Sequence, residues 1–452
     1  MNKMLFAELA VLFALAAPAG CSGSFVIPDP LPSGQQDAGP VVRDVESFKA
    51  ALRASKPGDT IVWADGEYEN VAVKMSASGT EGAPITLRAQ TPGKVVFKGV
   101  SSIQLQGSWL VAEGFSFTGL DTSVKGSVLT FAKGSSNCRI SDCKIDGRSS
   151  KPSEVDTKWV SMYGTHNEIS HCTFLEKKNM GCLLVVWMED GIVPGHVIAD
   201  NYFTRPYTHY DDKGKARNGQ ESIRIGTSDF SMSNADCIVR GNHFYRCDGE
   251  RAEIISSKSC GNIYEGNLFE EGEGSLTLRH GNGCIVRKNF FLSGGRTEVG
   301  GVRIIGERHL VEGNFFFNLT GSNYKSALCV VKGESGAALN GYWTAKDCIV
   351  RDNLFVDCRN GIVVNYGQRD TQDSAPVNLL IKGNTIISGK NYMIPVNVME
   401  GTPSDAVKWE DNIIFGGSQK GVSLGTTGTK PAYDNMQDTM SGIRKNAGIT
   451  WK

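Results

Sequence analysis

The sequence predicts a single right-handed parallel β-helix, an all-β solenoid in which successive coils of the chain stack on one another. A short phrase recurs along the chain: two apolar residues, two variable residues, an asparagine, a variable residue and a phenylalanine. Its copies lie 22 to 41 residues apart. Such spacing is typical of coils that share a constant core and differ in their loops. We expect this solenoid, with an N-terminal capping helix, over residues 41–452.

The repeated asparagine marks one turn of each coil. Clear copies place it at Asn201, Asn242, Asn267, Asn289, Asn314 and Asn353, weaker copies at Asn384 and Asn412, and two earlier copies have Cys143 and Cys172 there. The intervening segments are short and β-branched and are separated by glycine, asparagine and aspartate, which favours strands. Stacked coils let each asparagine hydrogen-bond the next one. An ordinary β-sandwich would show alternating hairpins instead.

The open N-terminal end of such a stack needs a cover. The segment "DVESFKAALRASKPGD" supplies it, because Phe48 and Leu52 lie four residues apart on one face of a predicted helix. Pro57 and Gly58 end that helix before the first full strand. We therefore expect the helix to cap the solenoid.

The N-terminus predicts export. Residues 1–20 combine one lysine, an apolar run and small residues, as in a signal peptide, and they are too short for a stable membrane span. Cys21 stands where a bacterial lipoprotein is lipidated, although Pro18 and Glu8 depart from that pattern, so lipidation stays open. Residues 21–40 form a predicted tether. We expect a periplasmic protein, an outer-membrane lipoprotein attached only through Cys21, or a secreted protein.

Composition excludes some classes of function. The formal net charge of −1 gives no sign of nucleic-acid binding. Many of the twelve cysteines stand inside apolar runs such as "DCIVRGN", which favours buried thiols over disulfides. No cysteine and histidine spacing typical of zinc occurs.

Three cations fall at nearly the same place on consecutive coils. Lys258, Arg279 and Arg303 precede their asparagines by 9, 10 and 11 residues, and strand alternation turns all three outward. We therefore expect one cation column on the outer face. Stacked like charges repel, which a merely solubilising face would avoid. The column suggests an acidic polysaccharide as partner, and it disfavours a polysaccharide hydrolase, which needs paired carboxylates.

The sequence also resembles polysaccharide lyase family 6, which contains alginate lyases and chondroitinase B. The phrases "KPGDTIVWADGEY", "NGQESIRIG", "AEIISSKS", "LTLRHGNGC" and "GGVRIIGERH" carry the resemblance, in the expected order. It implies that Lys258 is the Brønsted base and that Arg279 is the catalytic acid or its electrostatic partner. The candidate substrate contacts are Arg224, His280 and Arg303, which match family positions, together with Glu307 and Tyr366, which the resemblance does not assign.

One residue departs from the family pattern for metal binding. The resemblance places calcium at Asn218, Glu221 and Glu253, with a further glutamate two residues before Glu253, but this chain has Arg251 there. A guanidinium cannot ligate a metal. We therefore expect no metal and no other cofactor, with Arg251 in the metal's place and paired with Glu221 or Glu253. Calcium held by Asn218, Glu221 and Glu253 is the alternative.

The predicted activity is β-elimination at a uronate glycosidic bond. The phrases resemble those of alginate-cleaving members more than chondroitinase B, so alginate is the preferred substrate. A dermatan or chondroitin sulfate lyase is the first alternative, and a non-catalytic carbohydrate-binding β-helix is the second. The long intervals 202–241 and 315–352 are where loops closing the groove would lie. We expect a monomer.

Overall fold

In the computed structural model, which describes residues 39–425 and 429–451, the chain winds through three parallel sheets. A typical coil contributes one short strand to each sheet in turn, and each strand pairs with the equivalent strand of the next coil. The predicted right-handed parallel β-helix is thereby confirmed. The predicted signal segment, Cys21 and residues 22–38 of the tether lie outside the described residues.

The three sheets are named I, II and III in the order in which a coil visits them. Sheet I contains Val41–Val42, Thr60–Trp63, Ile85–Ala89, Leu110–Glu113, Arg139–Ser141, Glu168–Ser170, Val197–Ala199, Ile238–Arg240, Ile263–Glu265, Ile285–Arg287, Leu310–Glu312, Ile349–Arg351, Leu379–Lys382 and Val407–Glu410. Sheet II contains Gly66–Glu69, Val95–Gly99, Ser116–Leu120, Lys144–Asp146, Thr173–Leu175, Tyr202–Arg205, His243–Cys247, Leu268–Glu270, Phe290–Leu292, Phe315–Phe317, Leu354–Val356, Thr385–Ile387 and Ile413–Phe415. Sheet III contains Ala72–Ser78, Ser102–Ser108, Ser127–Phe131, Lys158–Met162, Leu184–Val186, Ile223–Ile225, Glu253–Lys258, Gly274–His280, Val299–Ile304, Leu328–Val331, Asn360–Tyr366 and Ile394–Val398.

The predicted asparagine ladder occupies the corner between sheets I and II. From Asn201 to Asn412, each side-chain amide donates to the carbonyl oxygen of the next asparagine at 2.9 to 3.0 Å. The same oxygen accepts the backbone N–H of the preceding asparagine. The asparagine ladder therefore satisfies buried backbone groups at a corner where no strand partner is available.

The corner also fixes the residue before each asparagine. Gly266, Lys288 and Gly313 have φ of 59°, 55° and 62°, in the left-handed region that is open to glycine and costs other residues about 1–2 kcal/mol. The phenylalanine of the phrase then points into the core, and the rings of Phe244 and Phe269 are among those stacked coil on coil, 4.8 Å apart. The hydrogen bonds at the corner therefore explain the asparagine of the repeated phrase, and stacking in the core explains its phenylalanine.

The predicted capping helix is confirmed. Helix α1 spans Val45–Ala54, and Asp44 caps it by accepting the N–H of Ser47 at 2.7 Å. Phe48 and Leu52 are buried against the first coils, so the helix covers the end of the core.

The C-terminal segment departs from the prediction that the β-helix continues to residue 452. Among the described residues the last strand ends at Phe415, and helix α2, Met436–Asn446, lies outside sheet II with Met440 buried against the outward apolar side chains of that sheet. The chain then runs back towards the early coils, where the Trp451 indole donates to the carbonyl of Asp142 at 2.9 Å. Without this helix, the outward apolar side chains of sheet II would be exposed to water as one patch.

The eleven cysteines of the described residues are buried free thiols, as predicted. Within residues 39–425 and 429–451, neither helix has the length and apolar character needed to cross a membrane.

Removing one member of the asparagine ladder should destabilise the solenoid. In Asn289→Ala, the N–H of Asn267 loses its acceptor and the carbonyl of Tyr264 loses its donor. Burial of unsatisfied groups should lower the free energy of unfolding by about 3 kcal/mol in urea titrations. Asn391→Ala, at an exposed position, is the matched control. Equal stability of the two variants would contradict a stabilising ladder.

Candidate active site

A cleft of about 990 Å³ lies over the outer face of sheet III. Strands 253–258, 274–280 and 299–304 form its floor, and residues 210–218, 324–325, 340–342 and 368–369 contribute to its walls. The predicted site residues that line it are Asn218, Arg251, Glu253, Lys258, Arg279, His280 and Arg303. The structure therefore brings most of the predicted site together.

The prediction of one cation column is wrong in its register. Lys258 lies opposite His280, whereas Arg303 lies opposite Thr277. A register shift between Ser257 and Lys258 displaces the end of that strand. Counting back from the asparagines cannot detect such an irregularity. The three cations share the cleft as a cluster and not as a column.

Lys258 ends its strand at the cleft floor. Its side chain is 16% exposed, and its Nζ lies 4.0 Å from Oε1 of Glu221. The amine is thus partly sheltered from water but open to the cleft. The Lys258 amine can therefore approach a ligand that binds in the cleft.

Arg279 is held by the loop above it. Its Nη1 donates to the carbonyl of Gly341 at 2.8 Å, its Nη2 donates to that of Asn340 at 3.1 Å, and the guanidinium lies 4.3 Å from the ring centre of Tyr342. Burial lowers the pKa of Arg279, and the charges of Arg303 and Arg369 act in the same direction. The loop carbonyls and the aromatic ring fix the cation in place.

His280 is buried beside these cations. Burial, followed by the charges of Arg279 and Lys258, lowers the pKa of His280 to about 3. The imidazole is therefore neutral near pH 7, and it can act as a hydrogen-bond partner there but not as a charged donor.

Arg303 forms a buried ion pair with Glu253. Its guanidinium also lies 5.4 Å from the ring centre of Tyr324. Because both charges are buried, removing either one would leave the other uncompensated. The pair fixes Arg303 at the cleft floor.

The sequence-based position of Arg251 is wrong. Arg251 has φ of 59°, and its side chain contacts Glu273 and donates to the Tyr210 hydroxyl at 2.7 Å. Glu250 takes the place expected for Arg251, because it gathers with Glu221 and Glu253. Their ligand oxygens all lie within 4.8 Å of one another. Residue type does not predict a left-handed conformation at a non-glycine residue, so the sequence does not predict that Glu250 replaces Arg251 beside Glu221 and Glu253.

The carboxylate triad, Glu221, Glu250 and Glu253, suits a hard cation. All three residues are buried, and Oε1 of Glu221 has no hydrogen-bond partner. Burial, and then the charges of Glu221 and Glu253, raise the pKa of Glu250 well above its usual range. Several clustered carboxylate oxygens are the ligands that calcium prefers. The side chains present therefore fit calcium.

Three other predicted contacts lie elsewhere. Arg224 is adjacent in sheet III, with its guanidinium 5.3 Å from the centre of the Trp187 ring. Glu307 pairs with Arg308 at 2.6 Å, and Tyr366 packs in a small apolar cluster. Neither Glu307 nor Tyr366 lines the cleft, so their predicted role as direct contacts is not supported.

Several cleft residues escaped the sequence reasoning: Tyr210, Lys215, Tyr324, Lys325, Tyr342 and Arg369. All but Arg369 lie in the two long intervals 202–241 and 315–352. The length of these intervals was the available signal, but loops lack the periodicity that would place an individual side chain.

The comparisons with known proteins identify the family of this chain. The sequence profile described as chondroitinase B matches residues 42–440. No curated protein sequence matches the chain. The solved structure of the PL6 family alginate lyase AlyGC is 32% identical with a TM-score of 0.79, covering 88% of this chain and 54% of that one. The chain thus spans about half the length of that relative.

Two further solved structures match over nearly their whole length. A mannuronic acid specific family 6 lyase from human gut microbiota is 26% identical with a TM-score of 0.80, covering 92% of this chain and 96% of that one. The PL6 polysaccharide lyase Pedsa3628 from Pseudopedobacter saltans is 23% identical with a TM-score of 0.71, covering 92% of this chain and all of that one. The latter similarity concerns the fold.

Loss of the Arg251 side chain should release the wall that carries Tyr210. In Arg251→Ala, the Tyr210 hydroxyl and Glu273 lose their shared partner. Trypsin should then cut at the exposed Lys213 or Lys215 several-fold faster, as followed by mass spectrometry. Arg246→Ala, at an exposed position outside the cleft, is the control. Unchanged cleavage would show that other contacts hold the wall.

Proposed function

We propose that this chain, which belongs to the chondroitinase B family of polysaccharide lyases, cleaves alginate by β-elimination to give unsaturated oligosaccharides. The convergence of cations on one cleft carries the proposal. Its lining includes Lys215, Arg251, Lys258, Arg279, Arg303, Lys325 and Arg369. Such a cleft suits a polyanion whose carboxylates recur at every sugar.

The acidic residues of the cleft do not suit hydrolysis. Glu253 is engaged by Arg303, and Glu250 accepts the N–H groups of Gly219 and Gln220. A glycoside hydrolase needs two carboxyl groups placed freely on either side of the bond. The arrangement of charges therefore favours elimination.

Elimination requires removal of the C5 proton beside a carboxylate. Neutralising that carboxylate makes the proton more acidic, because the intermediate concentrates further charge on it. Arg279 supplies positive charge in the cleft, and Lys258 is the base that takes the proton. The similarity to an alginate lyase at 32% identity and to a mannuronic acid specific lyase at 26% supports alginate as the substrate.

We also propose that Glu221, Glu250 and Glu253 hold a calcium ion, contrary to the metal-free site expected from the sequence. Glu250 supplies the carboxylate that residue 251 lacks. A bound ion would add positive charge that favours a nearby sugar carboxylate. Burial lowers the pKa of the neighbouring Arg205 to about 10. The charges of Glu221 and Glu250 act in the opposite direction, which shows that this arginine lies close to the carboxylates.

A dermatan or chondroitin sulfate lyase is the second candidate. The match to the chondroitinase B profile over residues 42–440 favours it. The same cations would bind uronate carboxylates and sulfates alike, so substrate comparison must decide between the two.

We further propose that the protein is exported and acts as a monomer. The apolar N-terminal segment and the tether that follows it support export. A high-molecular-mass acidic polysaccharide would be met outside the cytoplasm. Cell fractionation and size-exclusion chromatography test these two points.

Lyase activity should depend on Lys258. Wild-type protein incubated with alginate should produce ultraviolet absorbance from a new C4–C5 double bond, and dermatan and chondroitin sulfate should give less. Lys258→Ala should reduce kcat by about a thousandfold or more, because no general base remains. Lys288→Ala, at an exposed position outside the cleft, should retain full activity. Absence of product with all three polymers would refute the proposed function.

Calcium should bind to the carboxylate triad. In titration calorimetry of EDTA-treated protein, Glu250→Gln should weaken calcium binding at least tenfold, because one of three charged ligands is lost. Exposed Glu69→Gln is the control, and Arg251→Ala should bind calcium normally, since Arg251 contacts Glu273 instead. Calcium should also restore activity removed by EDTA. Absence of a binding signal in the wild-type protein would return the site to the metal-free expectation.

A further inference from the structure

The carboxylate triad needs fixed partners, because three negative charges within 4.8 Å of one another repel. Two of its members have such partners. Oε2 of Glu250 accepts the backbone N–H groups of Gly219 and Gln220 at 2.9 and 3.2 Å. Oε1 of Glu253 contacts the Arg303 guanidinium. The third carboxylate has a different kind of partner.

The carboxylate of Glu221 is held by a thiol. Cys182 is fully buried, and its Sγ donates to Oε2 of Glu221 at 2.9 Å. Oε1 of the same carboxylate has no hydrogen-bond partner in the described part of the chain and lies 4.0 Å from Nζ of Lys258. Because one oxygen is engaged by the thiol, the other is the one left for a cation.

The fold places this thiol beside the carboxylate. Leu184 pairs with Ile223 in sheet III. Cys182 and Glu221 stand two residues earlier on the same two segments, so they come side by side. The N–H of Leu183 donates to the carbonyl of Glu221 at 3.0 Å and fixes the two segments at that point. The contact therefore follows from the register of adjacent coils.

Cys182 differs from the other cysteines. Among the eleven cysteines of the described residues, it is the only one whose thiol lies at hydrogen-bond distance from a carboxylate. Most of the others donate to backbone carbonyls, as Cys358 does to those of Phe316 and Val356 at 3.6 Å. Those thiols fill the core, whereas a hydrogen bond to a charged oxygen orients that oxygen.

We propose that Cys182 is a positioning residue for the cation site: its thiol holds Oε2 of Glu221, so that Oε1 is presented to a cation bound by the carboxylate triad. The inference rests on the proposed calcium site. Groups that hydrogen-bond a metal ligand from behind orient it, and their loss typically lowers metal affinity by about 10–100-fold.

Loss of the thiol would leave the Glu221 carboxylate without a hydrogen bond. In the described part of the chain, its Oε1 has no such partner and its Oε2 has only Cys182. Repulsion from the other two carboxylates then favours a turn away from them. A cation in the site would lose one of its three charged ligands.

The test compares two substitutions of Cys182, by titration calorimetry of the EDTA-treated full chain with calcium chloride. Cys182→Ala removes the donor and should raise the Kd for calcium about tenfold or more. Cys182→Ser keeps a donor at the same place and should stay within about threefold of the wild type. Cys358→Ala, at a buried position outside the cleft, is the control for a lost thiol and should bind calcium normally.

Lyase activity separates positioning from a packing defect. With calcium in large excess, Cys182→Ala should regain the kcat of the wild type to within about threefold, because mass action refills the weakened site. A packing defect would lower kcat at every calcium concentration, and that result would contradict the inference.

The thiol also gives a direct signal in the wild-type protein. Cys182→Ser identifies its S–H stretching band in the infrared spectrum as the band that disappears. This band should move to higher frequency when calcium is added, because the cation draws charge from Glu221 and weakens the hydrogen bond that Oε2 accepts. The measurement remains decisive if Cys182→Ala does not fold.

Three results would overturn the inference: an S–H band that calcium does not move, unchanged calcium affinity in folded Cys182→Ala, or equal weakening in the alanine and serine variants. A wild-type protein that binds no calcium would refute the proposed metal site and this inference with it. Calcium binding without activity on any polyuronate would refute the proposed lyase function alone.

Discussion

The left-handed corner with its buried asparagine is the constraint on which the rest of the structure depends. Each asparagine hydrogen-bonds the asparagine at the same corner of the adjacent coil. Consecutive coils are therefore held one strand spacing apart, about 4.8 Å, whatever the length of the loops that connect them. Chain added elsewhere in a coil does not disturb this contact. Loops of very different length can therefore rise over sheet III without disturbing the stack beneath them, and sheet III brings Lys258 and Arg279 into one cleft.

The features that could be predicted from the sequence are those that repeat. The stacking of Asn267 and Asn289 was predictable because every coil repeats the same corner. The burial of Phe48 and Leu52 was predictable because the helical period depends only on nearby residues. The pairing of Arg251 was not predictable, since a positive φ at a non-glycine residue depends on its surroundings. The tyrosines of the cleft stand on unique loops, whose path is decided by tertiary contacts that leave no period in the sequence.

Aromatic rings hold two cations of the site, Arg224 and Arg279, without neutralising them. A carboxylate partner would consume the charge that a polyanion needs, whereas the face of a ring attracts a guanidinium and leaves its charge available. Four such pairs border the floor: Arg224 with Trp187, Arg251 with Tyr210, Arg279 with Tyr342 and Arg303 with Tyr324. Only Arg251 and Arg303 among these four also form an ion pair within the described chain.

The returning C-terminal segment changes how the solenoid holds together. Coils that touch only their neighbours can fray from either end, one after another. Here Met440 is buried against the outer face of sheet II, Arg444 binds Glu270, and Trp451 donates a hydrogen bond to Asp142, many coils earlier. The segment links coils that share no direct contact. Unfolding of one of these coils therefore also breaks contacts that the segment makes with distant coils. Contacts between distant coils favour cooperative unfolding over fraying from the ends.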